Sequence, residues 1–231
     1  MGAEYINGIP RYCLWLVGIE PSDLRAMPLV AARVDAVREF RLASSKAATR
    51  KKAEEPWLFD EVRPPKGGSY IAIPKVSSGR REYVPMGFVT DGMVPGDKLF
   101  YIDSGGLYEL GILASQMHNA WMRTVAGRLK SDYSYSNTIV YNNFVWPDVT
   151  DDQRLKVEVC AQDVLDARAT HPGQSLADLY DPKYMPIDLR TAHHALDAAV
   201  EAAYGVDFAG DEEKIVPHLF ELYAEKTKGE E

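Results

Sequence analysis

Two polar stretches carry the side chains best suited to chemistry. Ser77, Ser78, Arg80 and Arg81 fall on one short loop between apolar runs. An Arg guanidinium can fork two hydrogen bonds to guanine O6/N7 or grip a phosphate, and a Ser hydroxyl can serve either partner. The second stretch, Arg128-Leu129-Lys130-Ser131-Asp132-Tyr133-Ser134-Tyr135-Ser136-Asn137, is basic, aromatic and polar. Its Lys, Ser and Tyr side chains can line phosphates while a neighbouring helix stays packed. Ordinary surface loops carry the same residue types, so these residues alone leave both readings open.

Signatures of catalysis are missing. No glycine-rich loop of the Rossmann or P-loop kind follows a strand pattern. No Asn/Asp-Pro-Pro-Tyr/Phe stretch occurs, and Arg63-Pro64-Pro65-Lys66 has the wrong flanks for one. A Gly-x-Ser-x-Gly elbow is absent as well. Glu212-Glu213-Lys214 imitates half of a nuclease metal site but sits in a helical pattern. His193 and His194 are adjacent on a helix and diverge by about 100°, which rules out shared ligation of one metal. His118 lies between Met117 and Trp121 and reads as a packed core histidine. Cys13 and Cys160 fit no metal spacing and read as reduced, buried thiols. No metal or cofactor site is assigned.

The elements that must position the polar stretches follow from periodicity. Tyr12–Val17 reads as a buried strand, and a helix starts at Pro21-Ser22-Asp23, bends at Pro28 and runs to residue 42. An exposed basic stretch follows at Ser44–Lys52, and Arg63-Pro64-Pro65-Lys66-Gly67-Gly68 is a linker or turn. Ser69–Val76, Tyr83–Val89 and Leu99–Ile102 are short strands, with a loop from Asp91 to Asp97 between the last two. Leu110, Leu113, Met117, Trp121, Val125 and Leu129 recur at helical spacing, predicting one helix over 107–129. Thr138–Phe144 reads as a final strand, and 151–169, 188–204 and 212–226 as helices. The fold class expected is α+β: a mixed domain over 1–147, with short strands around a central helix and a helical lead-in over 1–65, then a small helical domain over 148–231.

Composition agrees with a folded chain. Of 231 residues, 46% are hydrophobic and 26% charged, enough apolar matter for a true core. No apolar run is long enough for a membrane span and no secretory leader is evident, so the expected setting is cytoplasmic, away from membranes. The net charge of −8 is unevenly spread. Residues 1–147 hold 18 Lys+Arg against 15 Asp+Glu, and residues 148–231 hold 8 against 19. The first part thus has room for a phosphate-binding face, and the acidic tail either faces another protein surface or solvent or simply aids solubility.

A more specific signal runs through the chain. Arg11–Leu16, Ile73–Tyr83, Gly111–Tyr133, Val140–Pro147 and Ala192–Gly205 resemble, in order, the region that follows the methyltransferase domain in MmeI-like (type IIL) restriction–modification enzymes. Val145 departs from the family pattern, which has Pro there, and Ser134 stands where Arg is common. In that family one polypeptide joins a nuclease, a helical connector, an S-adenosylmethionine-dependent adenine-N6 methyltransferase, a target recognition domain and a helical C-terminus. The chain resembles only the last two, so it is expected to be a fragment or specificity piece, with no catalytic centre or cofactor of its own. S-adenosylmethionine would bind the missing methyltransferase domain.

The resemblance implies a sequence-reading role on double-stranded DNA, with the upstream methyltransferase domain as the other partner. Ser77, Ser78, Arg80 and Arg81, with Asp103 and Ser104 on a second loop, become candidates for reading bases; Asp103 can accept from a cytosine amino group. Arg128, Lys130, Tyr133 and Tyr135 become candidates for phosphate. Each has a structural alternative. Arg81 can pair with Glu82 or Asp103, Asp103-Ser104-Gly105-Gly106 can be a turn and helix cap, and both tyrosines can be packing residues. Met117, Trp121, Asn142, Asn143, Phe144, Trp146 and Pro147 read as scaffold. The competing functions are a protein–protein interaction module without DNA contact and a small enzyme with an unfamiliar site.

Overall fold

The computed structural model describes residues 2–64, 66, 68–90 and 92–228. Pro65, Gly67 and Asp91, part of the expected turns, lie outside the described residues. The chain forms two compact units, one of residues 11–64 and one of residues 1–10 with 65–231.

In the larger unit α1 (Gly2–Asn7) precedes the excursion into the smaller one. The smaller unit holds α2 (Pro21–Ala26), α3 (Pro28–Leu42) and α4 (Ala47–Lys51). Pro28 begins a new helix rather than bending the old one, because Pro suits the first helical turn and cannot continue a preceding one. The strand expected at Tyr12–Val17 does not form. Among the described residues no strand pairs with it, and it runs irregularly with Tyr12 90% exposed. Trp15 stacks on Phe59 at 5.8 Å, and Tyr12, Leu14 and Val37 help line an open apolar cavity of about 550 Å³. Cys13, expected buried, is exposed; Cys160 is buried as expected.

The larger unit continues with β1 (Tyr70–Pro74), β2 (Val76–Ser77), β3 (Gly87–Val89) and β4 (Leu99–Asp103). Then come α5 (Leu107–Ala114), α6 (Gln116–Val125), β5 (Gly127–Leu129) and β6 (Asp132–Ser134). A π-helical turn (Asn137–Tyr141) leads to α7 (Asp151–Ala169), α8 (Leu176–Leu179), α9 (Ile187–Ala203) and α10 (Glu212–Thr227). Two antiparallel sheets result, ordered β3-β1-β4 and β2-β6-β5.

Three expectations fail for physical reasons. The helix predicted over 107–129 is broken at Ser115, whose backbone is extended and whose hydroxyl donates to Ile112 O at 2.7 Å. Its last turn is instead strand β5, because Ala126 is extended and Gly127 pairs with Ser134. The strand predicted over 138–144 is the π turn. Ser136 Oγ accepts from Ile139 N–H, and the Asn143 side chain donates to Thr138 O and Ile139 O, so local side-chain bonds override the β-branched propensity. The helices over 151–169, 188–204 and 212–226 form within a residue of expectation. Thr150 and Gln153 make a reciprocal capping box at the start of α7.

The mixed and helical parts share one core. Ile71, Ile73, Leu113 and Met117 belong to the same buried cluster as Val157, Val164, Leu196 and Leu219. The boundary expected near 147 therefore runs through continuous packing. Among the described residues no helix is long and apolar enough to cross a membrane.

Candidate nucleic-acid interface

The β2-β6-β5 sheet brings the two polar stretches together. Ser77 pairs with Tyr133 across β2 and β6, and Arg128 pairs with Tyr133 across β5 and β6. The loop after β2 thus lies against the β5–β6 hairpin. Gly79 N–H donates to Asp132 Oδ1 at 3.3 Å. A Cβ on Gly79 would stand 2.7 Å from Ser131 O, so the two backbones approach as only glycine allows. Lys130 takes the left-handed conformation (φ 57°) that the tight hairpin turn requires.

The cations of this surface are held in different ways. Arg128 lies 3.7 Å over the Tyr133 ring and donates to Ser131 O at 3.2 Å. That cation–π contact fixes the guanidinium stem while β5 stays exposed along its length. Arg80 and Lys130 are exposed. Arg81 is half-buried; burial lowers its pKa, opposed by the nearby Asp132 and Asp181 carboxylates. Neither pairing foreseen for it is made: Glu82 pairs with Arg190, and Asp103 accepts from the Lys66 backbone N–H at 3.1 Å.

Other candidates are placed elsewhere. Ser77 is buried and its Oγ has no hydrogen-bond partner among the described residues, so its side chain is not presented to solvent. Tyr135 is 5% exposed, and its hydroxyl meets His118 Nε2 at 3.0 Å. Its expected phosphate contact is corrected on that ground, for the hydroxyl is committed to the core. Tyr133 is buried too and serves as the platform for Arg128. Asp103 ends β4 opposite Tyr70, with Ser104 just beyond it, at the far end of β1 from the hairpin. At 3.3 Å per residue the separation is about 20 Å. Ser104 is left-handed (φ 60°), and Gly106 N–H is capped by Glu109 Oε2 at 2.7 Å.

Behind the surface stands a buried polar framework that no local pattern in the sequence announces. His118 is fully buried, and burial pushes its pKa down to about 3. The ring is therefore neutral: Nδ1–H donates to Leu113 O at 3.0 Å while Nε2 accepts from Tyr135. Asp197 of α9 accepts from the Tyr83 hydroxyl and from Gln116 N–H, both at 2.6 Å. It caps α6 and anchors the foot of the 78–83 loop at once. Burial raises its carboxyl to about 7. His193 stacks on Tyr83 at 4.0 Å and bonds the Tyr180 hydroxyl. Arg123 pairs with Glu212 and donates to Glu82 O. Val84 N–H donates to Asn119 Oδ1 at 2.9 Å. The acidic helices thus brace the loop from behind.

The strand–Gly-Gly–helix passage at Gly105-Gly106 before α5 is filled: a Cβ on Gly105 would meet Ile71 Cδ1 at 2.7 Å. No group of three His, Cys, Asp or Glu side chains gathers among the described residues.

Comparison with known proteins accounts for this arrangement. Residues 1–148 match the family model for the MmeI target recognition domain, and residues 149–230 match that for the MmeI C-terminal domain. The chain belongs to the MmeI family. One relative, DNA methyltransferase A of Bacillus subtilis (strain 168), is 38% identical over 226 residues, 97% of this chain and 25% of that protein. The solved structure of the type IIL restriction–modification enzyme MmeI in complex with DNA is 43% identical, with a TM-score of 0.95 over 98% of this chain and 30% of its own. The chain thus spans between a quarter and a third of the length of these relatives.

Proposed function

We propose that this chain reads the sequence of double-stranded DNA for a larger enzyme that methylates adenine N6. The observation that carries this reading is the juxtaposition of two loops, 46 or more residues apart, on one three-stranded sheet, with Arg80, Arg81, Arg128 and Lys130 along it. The MmeI structure in complex with DNA, similar over almost the whole chain, supports it. Ser78, Arg80 and Arg81 read base edges, and Arg128 and Lys130 fix the register on phosphates. Asp103 and Ser104, about 20 Å away, read bases about six steps further along the duplex. Tyr133 and Tyr135 position the hairpin rather than touch DNA.

The physical role is to offset the cost of base flipping. A methyltransferase must extrude its target adenine, which costs a few kcal/mol. Contacts made here only at the correct sequence supply that free energy and couple methylation to recognition. S-adenosylmethionine belongs to the methyltransferase portion of the parent protein. The exposed apolar residues of the 11–64 unit, Tyr12, Leu29 and Phe40 among them, support a protein contact in addition, and the methyltransferase portion is the partner assigned to them.

The test is selection from a randomised duplex pool by this chain, alone and joined to its methyltransferase portion, at two salt concentrations. One enriched motif that Arg81→Ala abolishes is the expected result. Salt-sensitive binding without a motif would leave only backbone positioning. Absence of enrichment even in the joined protein would refute the reading.

A further inference from the structure

A second feature lies next to the basic hairpin. A pocket of about 280 Å³ is walled by Ile73, Phe100, Tyr135, Asn137, Tyr141 and Asn142, among others. It is continuous with the β2-β6-β5 sheet, for Tyr135 N–H donates to Lys75 O at 2.9 Å, one step beyond the Val76–Ser134 pair. Tyr135 is two residues from Tyr133, the platform of Arg128, or about 7 Å along the strand. That is about two nucleotide steps of a DNA strand.

We propose that this pocket receives one unstacked nucleobase of the DNA engaged by the hairpin, an assignment that rests on the DNA-reading function above. Four observations support it. Phe100 and Tyr141 are half-buried, so each leaves part of an aromatic ring uncovered, and stacking on such rings is how proteins hold single bases. The Asn137 and Asn142 side chains are exposed at the wall and make no hydrogen bond to any described residue. A side-chain amide offers a donor beside an acceptor, the pattern that pairs with adenine N6/N7. Lys75 Nζ sits 4.4 Å over the Phe100 ring, a cation held where the nucleotide's phosphate would pass. Finally, one wall is the π turn, a backbone form that costs stability and recurs at functional sites. A protein side chain as occupant would explain the rings but leave the amides and Lys75 without a part.

The experiment uses the duplex selected above and changes the base opposite each position in turn. A mismatch leaves the read base in place while removing the cost of unpairing it. At a groove-read position a mismatch weakens or leaves binding. At the pocket position it is expected to tighten binding by about 10-fold. The double variant Asn137→Ala/Asn142→Ala changes two exposed side chains and should abolish that gain while retaining the selected motif. The proposal fails if no mismatch tightens binding, or if the gain survives in the double variant, which would leave the pocket to a protein contact. It also falls if no motif is selected at all. That outcome refutes the DNA-reading function itself, and persistence of the motif distinguishes the two failures.

Discussion

Removing the Asp197 carboxylate should cost more than any surface change and should do so in a pH-dependent way. The side chain is 7% exposed and accepts from two donors, the Tyr83 hydroxyl and Gln116 N–H. Asp197→Ala strands both. A buried donor left without a partner costs about 1–3 kcal/mol, so the two together cost about 3–4 kcal/mol. Asp197→Asn keeps an acceptor for Gln116 and can donate to the Tyr83 oxygen, so its cost at pH 7 should be about 1 kcal/mol. The sign of the pH effect follows from the raised carboxyl, about 7 folded against an ordinary 3.8. Between those values the native state holds a proton that the unfolded chain has released. The stability contributed by this group is therefore full below pH 3.8 and is lost as pH rises to about 7. The stability of wild type relative to Asp197→Asn should decline as pH rises across that window. Urea denaturation of both variants and the wild type at several pH values measures it. Equal costs for Ala and Asn, or a pH-independent difference between wild type and Asn, would refute the bridging role assigned to this residue.

Other outcomes are accessible to the same preparations. His118, held at about 3, and His193, held well below 6.5, are neutral when folded and take up protons only on unfolding as pH falls through 6.5. At pH 5 the His118 effect costs about 2 kcal/mol and His193 adds to it in the same direction, so in an Asp197→Asn background, which lacks the opposing carboxyl effect, Tm should fall between pH 7 and 5, and a Tm that does not fall would contradict it. Arg128→Ala, and Lys130→Gly chosen to suit its left-handed backbone, should each reduce the salt slope of DNA binding by about 0.9. An unchanged slope would remove that residue from the phosphate contacts. Gly79→Ala should push the loop off Ser131 O and lower discrimination between selected and scrambled duplexes about 10-fold, one well-placed base contact being worth about 1–3 kcal/mol. Full discrimination in that variant would show that the close approach is dispensable.

What could be read in advance divides by the range of the interactions involved. α7 and α10 were legible because their starts are local: the Thr150–Gln153 box for one, the Asp211 side chain accepting from Glu213 N–H for the other. The apolar face of Leu110, Leu113, Met117 and Trp121 was legible too, and all four are buried. The break at Ser115 was not, since the Asp197 that caps the next helix lies 81 positions from Gln116. Nor was the β5–β6 hairpin. Arg128, Leu129 and Lys130 are good helix formers, and only pairing with β6 and a non-glycine left-handed turn reveal the strand. The basic loops were found by residue type, but type could not separate the exposed Arg80 and Lys130 from the buried Ser77 and Tyr135, whose burial depends on partners distant in the chain.

This separation of exposed loop side chains from a distant buried frame also says where the proposed specificity could change at little cost in stability. β5 is exposed along its whole length, so substitutions at Arg128 or Leu129 disturb no core packing and typically shift stability by less than about 0.5 kcal/mol. The frame beneath it is the opposite case. Tyr83, His118, Asn119 and Asp197 are buried and joined by hydrogen bonds to backbone or to one another across both halves of the larger unit. A change there moves the loop and the stability together. The acidic helices thus hold the loop from behind: Arg190 and Asp197 of α9 hold Glu82 and Tyr83, and Glu212 of α10 holds Arg123 at the end of α6. A recognition module cut at residue 148 would lose those anchors and the core residues Val157, Val164 and Leu196 with them, so the two halves must travel as one piece for the loops to keep their geometry.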